Sequence, residues 1–318
     1  MSKKNPESIA ICLNCYKIKF TEKNKGLSKD ITSVFGHVDI VKIMQSLVKD
    51  MDLKKVFKNK KKDRIIYFKD TLLASASENV FAGVLMKGHN GPQTSIDELA
   101  GSEVKTVGTV SKDQYHCLPY FFLFYVNKKH PTDILFLAQS YRQFGFKEVF
   151  EESFRAFVEK RSNLTTTHFN PLSVASLFEK YVKEGKINKI RFIKYGLQKS
   201  VESVIQGDRH IKEDYEMELS IKSKKGFLGI KQHLKYDDAS FIEQVQIDGF
   251  EYNEAYVDVI IAQRKRVLNV SKPTEFSAAY DITHDVHINK DTKLPDFNDI
   301  LLQAKDILNN DLIPNLYE

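Results

Sequence analysis

The stretch LPYFFLFYVNKKHPTDILFLAQSYRQFGFKEVFEESFRAFVEK, residues 118–160, constrains this chain more than any other. Leu118 to Val126 is an almost unbroken aromatic run, yet it is about half the length a helix needs to cross a bilayer. No membrane insertion is expected. NKKHPTD is rich in turn formers and leads to the apolar run Ile134 to Gln139, which predicts two strands joined by a tight connection. Both runs are apolar on both faces, as central strands are. After Gly145, residues Phe146, Val149, Phe150, Phe154, Phe157 and Val158 recur at helical spacing, so a helix is expected to pack on that sheet. A platform for stacked bases would interleave glycine and basic residues among the aromatics, and this run lacks them. The phenylalanines read as core.

The rest of the chain extends this α+β pattern. Residues 8–20 alternate as a strand, and Asp39 to Met51 places Ile40, Ile43, Met44, Leu47 and Met51 on one helical face. Further strands are expected at Arg64 to Phe68 and over FAGVLMKGH, whereas Gly88 to Lys112 reads as a long loop with a short helix at its middle. Beyond NLTTTHFNPLS the chain restarts with a helix from Val174 to Lys183, the strands KINKIRFIKY and YEMELSIKS, and a charged segment to Asp214 between them. Asp248-Gly249 marks a hairpin, and Pro295 to Leu308 a last helix. At 318 residues two domains are expected, 1–165 and 166–318, each a mainly antiparallel sheet packed with helices.

Composition excludes some classes of function and permits others. With 42% hydrophobic and 28% charged residues, the chain has the make-up of a folded protein, far from that of disorder. Its three cysteines, Cys12, Cys15 and Cys117, are an odd number with no export signal in MSKKNPESIAICLN, so a reducing, cytoplasmic setting is expected. Cys12 and Cys15 form a CxxC, but no second pair completes four zinc ligands, and along a strand the two point to opposite faces. No Walker A loop, GxGxxG or GxSxG occurs, and no cofactor or metal is expected.

The net charge of +6 permits an acidic partner, and the distribution of the charge says more than its sum. One cluster runs through Lys54, Lys55, Lys58, Lys60, Lys61, Lys62 and Arg64, with Asp63 its only acidic interruption. Such a run suits a solvated loop or a flexible phosphate-gripping arm. A second group lies on expected strands or their ends: Lys189 and Arg191, then Lys222, Lys224 and Lys225, then Arg264, Lys265 and Arg266. If those strands are neighbours, the side chains form one patch able to neutralise phosphates. The other reading is a scatter of solvated strand ends.

Two weaker constellations carry carboxylates. Glu251, Glu254 and Asp258 precede Gln263 and Lys265, a rough likeness to the acidic residue and lysine with which metal-dependent nucleases hold Mg²⁺ and activate water. The spacing is short for that pattern. In DITHDVHIN, Asp281, Thr283, Asp285 and His287 share one face of an extended segment, which reads as a polar loop or a divalent-ion site.

DILFLAQSYRQFGFKEVFEESFRAFVEK, followed by NPLS, and the later FIEQVQIDGFEYNEAYVDVIIAQRKR resemble segments of poorly characterised bacterial anti-phage proteins of the abortive-infection kind. The resemblance implies a defence role beside a partner protein and carries over no catalytic residue. Together with the basic clusters it yields the expectation of a defence-associated protein that binds DNA or RNA non-specifically. The alternatives are a metal-dependent nuclease and an interaction subunit whose basic face meets an acidic protein.

Overall fold

Antiparallel pairing organises the chain. The computed structural model describes residues 10–53, 56–101, 103–141, 144–172, 185–195, 216–224, 226, 228, 247, 250–261, 264–271 and 279–317. Two compact units emerge, Met1–Pro171 with Ile282–Leu308, and Leu172–Asp281 with Asn309–Glu318. The expected helix over residues 174–183, the charged segment ending at Asp214 and the Asp248-Gly249 turn lie outside the described residues.

The first unit opens with β1 (Ile11–Glu22), β2 (Ser28–Lys29), the short α1 (Ile31–Phe35) and α2 (Ile40–Leu53). Next come β3 (Phe57–Lys58), β4 (Arg64–Ser75) and β5 (Val80–His89), then the separate hairpin β6 (Thr94–Ala100) and β7 (Glu103–Val110). The aromatic stretch supplies β8 (His116–Tyr125), β9 (Asp133–Tyr141), β10 (Phe144–Gly145) and α3 (Lys147–Arg161), and β11 (Thr165–Pro171) follows. The main sheet runs in the order β11-β1-β9-β8-β5-β4-β3.

The core lies where the aromatic run meets α3. Phe124 on β8 stands opposite Phe136 on β9, with ring centroids 4.6 Å apart and stacked. Phe150 of α3 lies 5.5 Å from the first ring and 5.3 Å from the second. Every residue of β9 is buried, so its neighbours close both faces, and the helix α4 (Phe297–Asp306) also approaches β8. Aromatics stacked this deep have no face left for bases.

Asn79 ties the α2 side of the sheet together. It is buried, stands at φ +55°, accepts the Ile40 amide on its Oδ1 and donates from Nδ2 to the carbonyls of Val38 and Val126. Asparagine tolerates this left-handed backbone better than most residues, and its amide satisfies three groups at once.

Two segments depart from the expectations. Within Gly88–Lys112 the chain forms β6 and β7 rather than a loop with a helix, turning at Gly101, φ +67°. Ile96, Leu99, Val104 and Val107 remain exposed, so no burial rhythm marks these strands in the sequence. TTTHFNP, read as a junction, is instead the edge strand β11 on β1, with Phe169 opposite Ile18. Threonines suit a strand, and Pro171 is accommodated at an edge.

In the second unit, β12 (Lys186–Tyr195), β13 (Glu216–Lys222), β14 (Glu254–Ile261) and β15 (Arg264–Asn269) form a sheet ordered β13-β12-β14-β15, followed by β16 (Ala279–Asp281). Ile190, Phe192, Val257, Val259 and Leu268 are its buried residues on one face. Among the described residues no helix is long and apolar enough to cross a membrane.

Candidate nucleic-acid interface

The lysine cluster of the first unit is a built turn. Between β3 and β4 the chain reverses around Asn59, whose backbone amide donates to the Arg64 carbonyl and whose Oδ1 accepts the Arg64 amide. Its Nδ2 donates to Asp63 at 2.6 Å and holds that carboxyl below its usual range. Lys62 sits at φ +59°, with its carbonyl accepting a bond from the Tyr115 hydroxyl. Asn59 is buried, whereas Lys58, Lys60, Lys61 and Lys62 are exposed, and none of these four ammonium groups has an ion pair among the described residues. Lys54 and Lys55 lie outside the described residues.

The turn leads into Asp63 and Arg64, which line a cleft of about 660 Å³. Strand alternation explains the cleft. On the face that packs on α3, β5 passes from Leu85 to Lys87 to His89, β4 from Ile66 to Arg64, and β1 from Ile18 to Tyr16 to Asn14. Each strand thus changes from apolar to polar near the start of α3, where Phe144, Gly145, Lys147 and Glu148 complete the lining. Asn14 donates to Ser140 Oγ at 2.9 Å, and His89 stacks on His116 with centroids 5.6 Å apart.

Charge in the cleft is unevenly compensated. Arg64 pairs with Glu148 at 2.5 Å, and Lys147 pairs with Glu151 at the same distance. Lys87 donates to the Gly145 carbonyl and has no carboxylate at ion-pair distance among the described residues. Burial, and then the neighbouring Arg64, lower its pKa below that of an ordinary lysine, while Glu148 works against them. The α3 N-cap, Phe146, supplies no side-chain acceptor to the helix's first amides. Phe144, at the cleft's lip, is 61% exposed.

In the second unit, β12 and β13 are neighbours and Lys189 stands directly opposite Lys222. The register also brings carboxylates to this face. Lys189 pairs with Glu218 at 3.2 Å and Arg191 with the buried Asp258 at 3.4 Å, while on the opposite face of β12 Lys194 pairs with Glu251 at 3.4 Å. Lys222 and Lys224 are exposed, and Lys225 lies outside the described residues. Residues Arg264, Lys265 and Arg266 fall on β15, which β14 separates from β12, and their side chains lie outside the description, as does Gln263.

Two of the three carboxylates of the nuclease-like constellation, Glu254 and Asp258, are buried and engaged internally. Glu254 accepts from the Tyr256 hydroxyl and from Asn269, and pushes the Tyr256 pKa up to about 12. Asp258 faces Val267 on β15 and is tied to Arg191. In DITHDVHIN, Thr283 accepts the Ile11 amide, and His287 meets Asp299 at 2.7 Å, which holds the Asp299 carboxyl below its usual range. Among the described residues no three His, Cys, Asp or Glu side chains converge as a metal site. Cys12 and Cys15 stand opposite Ser140 and Leu137, on alternate faces of β1, and are not joined in a disulfide.

Sequence reasoning missed Asn14, Tyr16, Lys87, Ser140, Phe144 and Lys147. The one signal was Lys87 itself, a cation inside the otherwise apolar strand FAGVLMKGH. A scan of protein-family models and a search of curated proteins find no match to this chain.

Proposed function

We propose that this protein binds nucleic acid without sequence preference, gripping phosphates with the lysine turn and the adjoining cleft of its first unit. The observation that carries this reading is the set of exposed lysines 58, 60, 61 and 62, without ion pairs among the described residues and held by the buried Asn59. A backbone held in this way keeps its lysines together at one place on the surface, where they neutralise phosphates and release counterions on binding. The second-unit cations contribute less in this reading, because Lys189, Arg191 and Lys194 already face carboxylates.

The setting we propose is anti-phage defence in the cytoplasm, beside a protein partner of the same system. It is supported by the resemblance of residues 133–160 and 241–266 to segments of such proteins. In this picture the two units act as two α+β halves, each an antiparallel sheet backed by helices.

The test is binding of labelled single-stranded DNA, double-stranded DNA and RNA across a salt series. Wild-type affinity is expected to fall steeply with salt, and replacing Lys58, Lys60, Lys61 and Lys62 by Gln to weaken binding and flatten the slope. Unchanged binding in that variant would overturn the assignment.

A further inference from the structure

We infer that the cleft receives the end of a nucleic-acid strand that carries a terminal phosphate, the phosphomonoester lying against Lys87 and Arg64 and the terminal base against Phe144. The inference rests on the nucleic-acid reading for the source of its ligand and on the cleft's own chemistry for its selectivity. At about 660 Å³ the cleft falls in the range of small-molecule sites, which suits one nucleotide.

Charge selects the phosphomonoester over the backbone diester. A terminal phosphate carries close to two negative charges at neutral pH, against one for a diester. Arg64, Lys87 and Lys147 bring three cations to the lining, and because Arg64 is paired with Glu148 and Lys147 with Glu151, Lys87 is the one without a carboxylate at ion-pair distance among the described residues. Lys87 is the anchor, because its ammonium group is half-buried and its one fixed partner is the Gly145 carbonyl. An anion beside it restores the charged form that burial disfavours. Arg64 engages a phosphate by exchanging Glu148, whose side chain is 78% exposed and can return to water at small cost.

Phe144 supplies the other half of the recognition. A phenylalanine exposed at the lip of a cationic cleft offers a ring on which any base can stack. The aromatics of β8 are buried in the core, as their sequence reads, and the ring exposed at the cleft is that of Phe144 on β10.

The experiment compares one oligonucleotide bearing a 5′-phosphate, a 3′-phosphate or hydroxyls at both ends, with a nucleoside monophosphate as competitor. A phosphorylated end is expected to bind on the order of tenfold more tightly than the hydroxyl end, as a charge-assisted contact gives. Lys87→Met should erase that ratio, Phe144→Ala should weaken both strands and the mononucleotide, and the four-lysine Gln variant should weaken all strands while keeping the ratio. Phe144 is exposed, so its variant keeps the test decisive if Lys87→Met does not fold. Strands that bind with no preference for a phosphorylated end overturn this inference and leave the proposed function standing. A mononucleotide that binds in the absence of any strand binding upholds the phosphomonoester chemistry, assigns it to free nucleotides and overturns the proposed function. Binding of neither overturns both.

Discussion

The lysine turn of the first unit and the basic strand face of the second contain the same residue types in similar density, yet differ in the charge they present. On the turn, Asp63 is bonded to Asn59, and Lys58, Lys60, Lys61 and Lys62 face solvent with no ion pair among the described residues. On the strand face, pairing in register sets Glu218 beside Lys189 and Asp258 beside Arg191. Two clusters that look alike in a sequence thus diverge once neighbouring strands are known, because cross-strand partners decide how much of a cation's field reaches outward.

The sharpest way to break this comparison is to remove a cation from the second face. Arg191→Met takes the guanidinium away from the buried Asp258 and is expected to cost about 1–2 kcal/mol in chemical denaturation of the second unit. A cost near zero would mean that the pair is not structural. Removing the turn's charges comes next: the four-lysine Gln variant should lose about 100-fold in DNA affinity at moderate salt, with a salt slope shallower by about 3. The same treatment of Lys189 and Lys222 should cost much less, and an equal loss would erase the distinction between the two faces.

Asn59→Ala sharpens the comparison at constant charge. It removes the turn's anchor, so stability should fall by about 1–2 kcal/mol and affinity about fivefold with the salt slope unchanged. Full affinity would show that charge alone matters. The smallest effect has the opposite sign. A lysine whose pKa is lowered by folding destabilises the folded state while it is charged, so Lys87→Met should raise the Tm of the ligand-free protein modestly at neutral pH. That advantage should shrink as pH rises from the folded value of Lys87 towards the ordinary lysine value, where the wild-type amine sheds its proton, and thermal melts at two pH values check it.

Much of the first unit was legible because burial imposes rhythm on sequence. The aromatic strands, α3 and α2 carry apolar residues at the spacing their geometry demands, and each forms where its spacing predicts. The hairpin β6-β7 carries no such rhythm, being exposed along its length, and β11 was hidden in threonines that suit a turn as well as a strand. The lysine run was legible as a cluster, whereas its rigidity was not, since it depends on Asn59 meeting Arg64 and Asp63 in space. The cleft was illegible for a related reason. Asn14, Arg64, Lys87 and Ser140 come from four strands, and only the strand order places them on one face.

The place of β1 in the sheet has a consequence for how the chain is made. β1 lies between β9 and β11, so apart from its short pairing with β2 it waits for residues 133–141 and 165–171 before its edges are covered. The same unit also takes in Ile282–Leu308, so its final piece arrives only after residues 172–281 have been synthesised. During vectorial synthesis the first-unit sheet can form once β11 has emerged, but the helix that approaches β8 is missing until the second unit has been made, which leaves apolar strands open to misassembly. A ribosome stalled inside the second unit would hold a nascent first unit that has its lysine turn and lacks the helix over Phe297–Asp306.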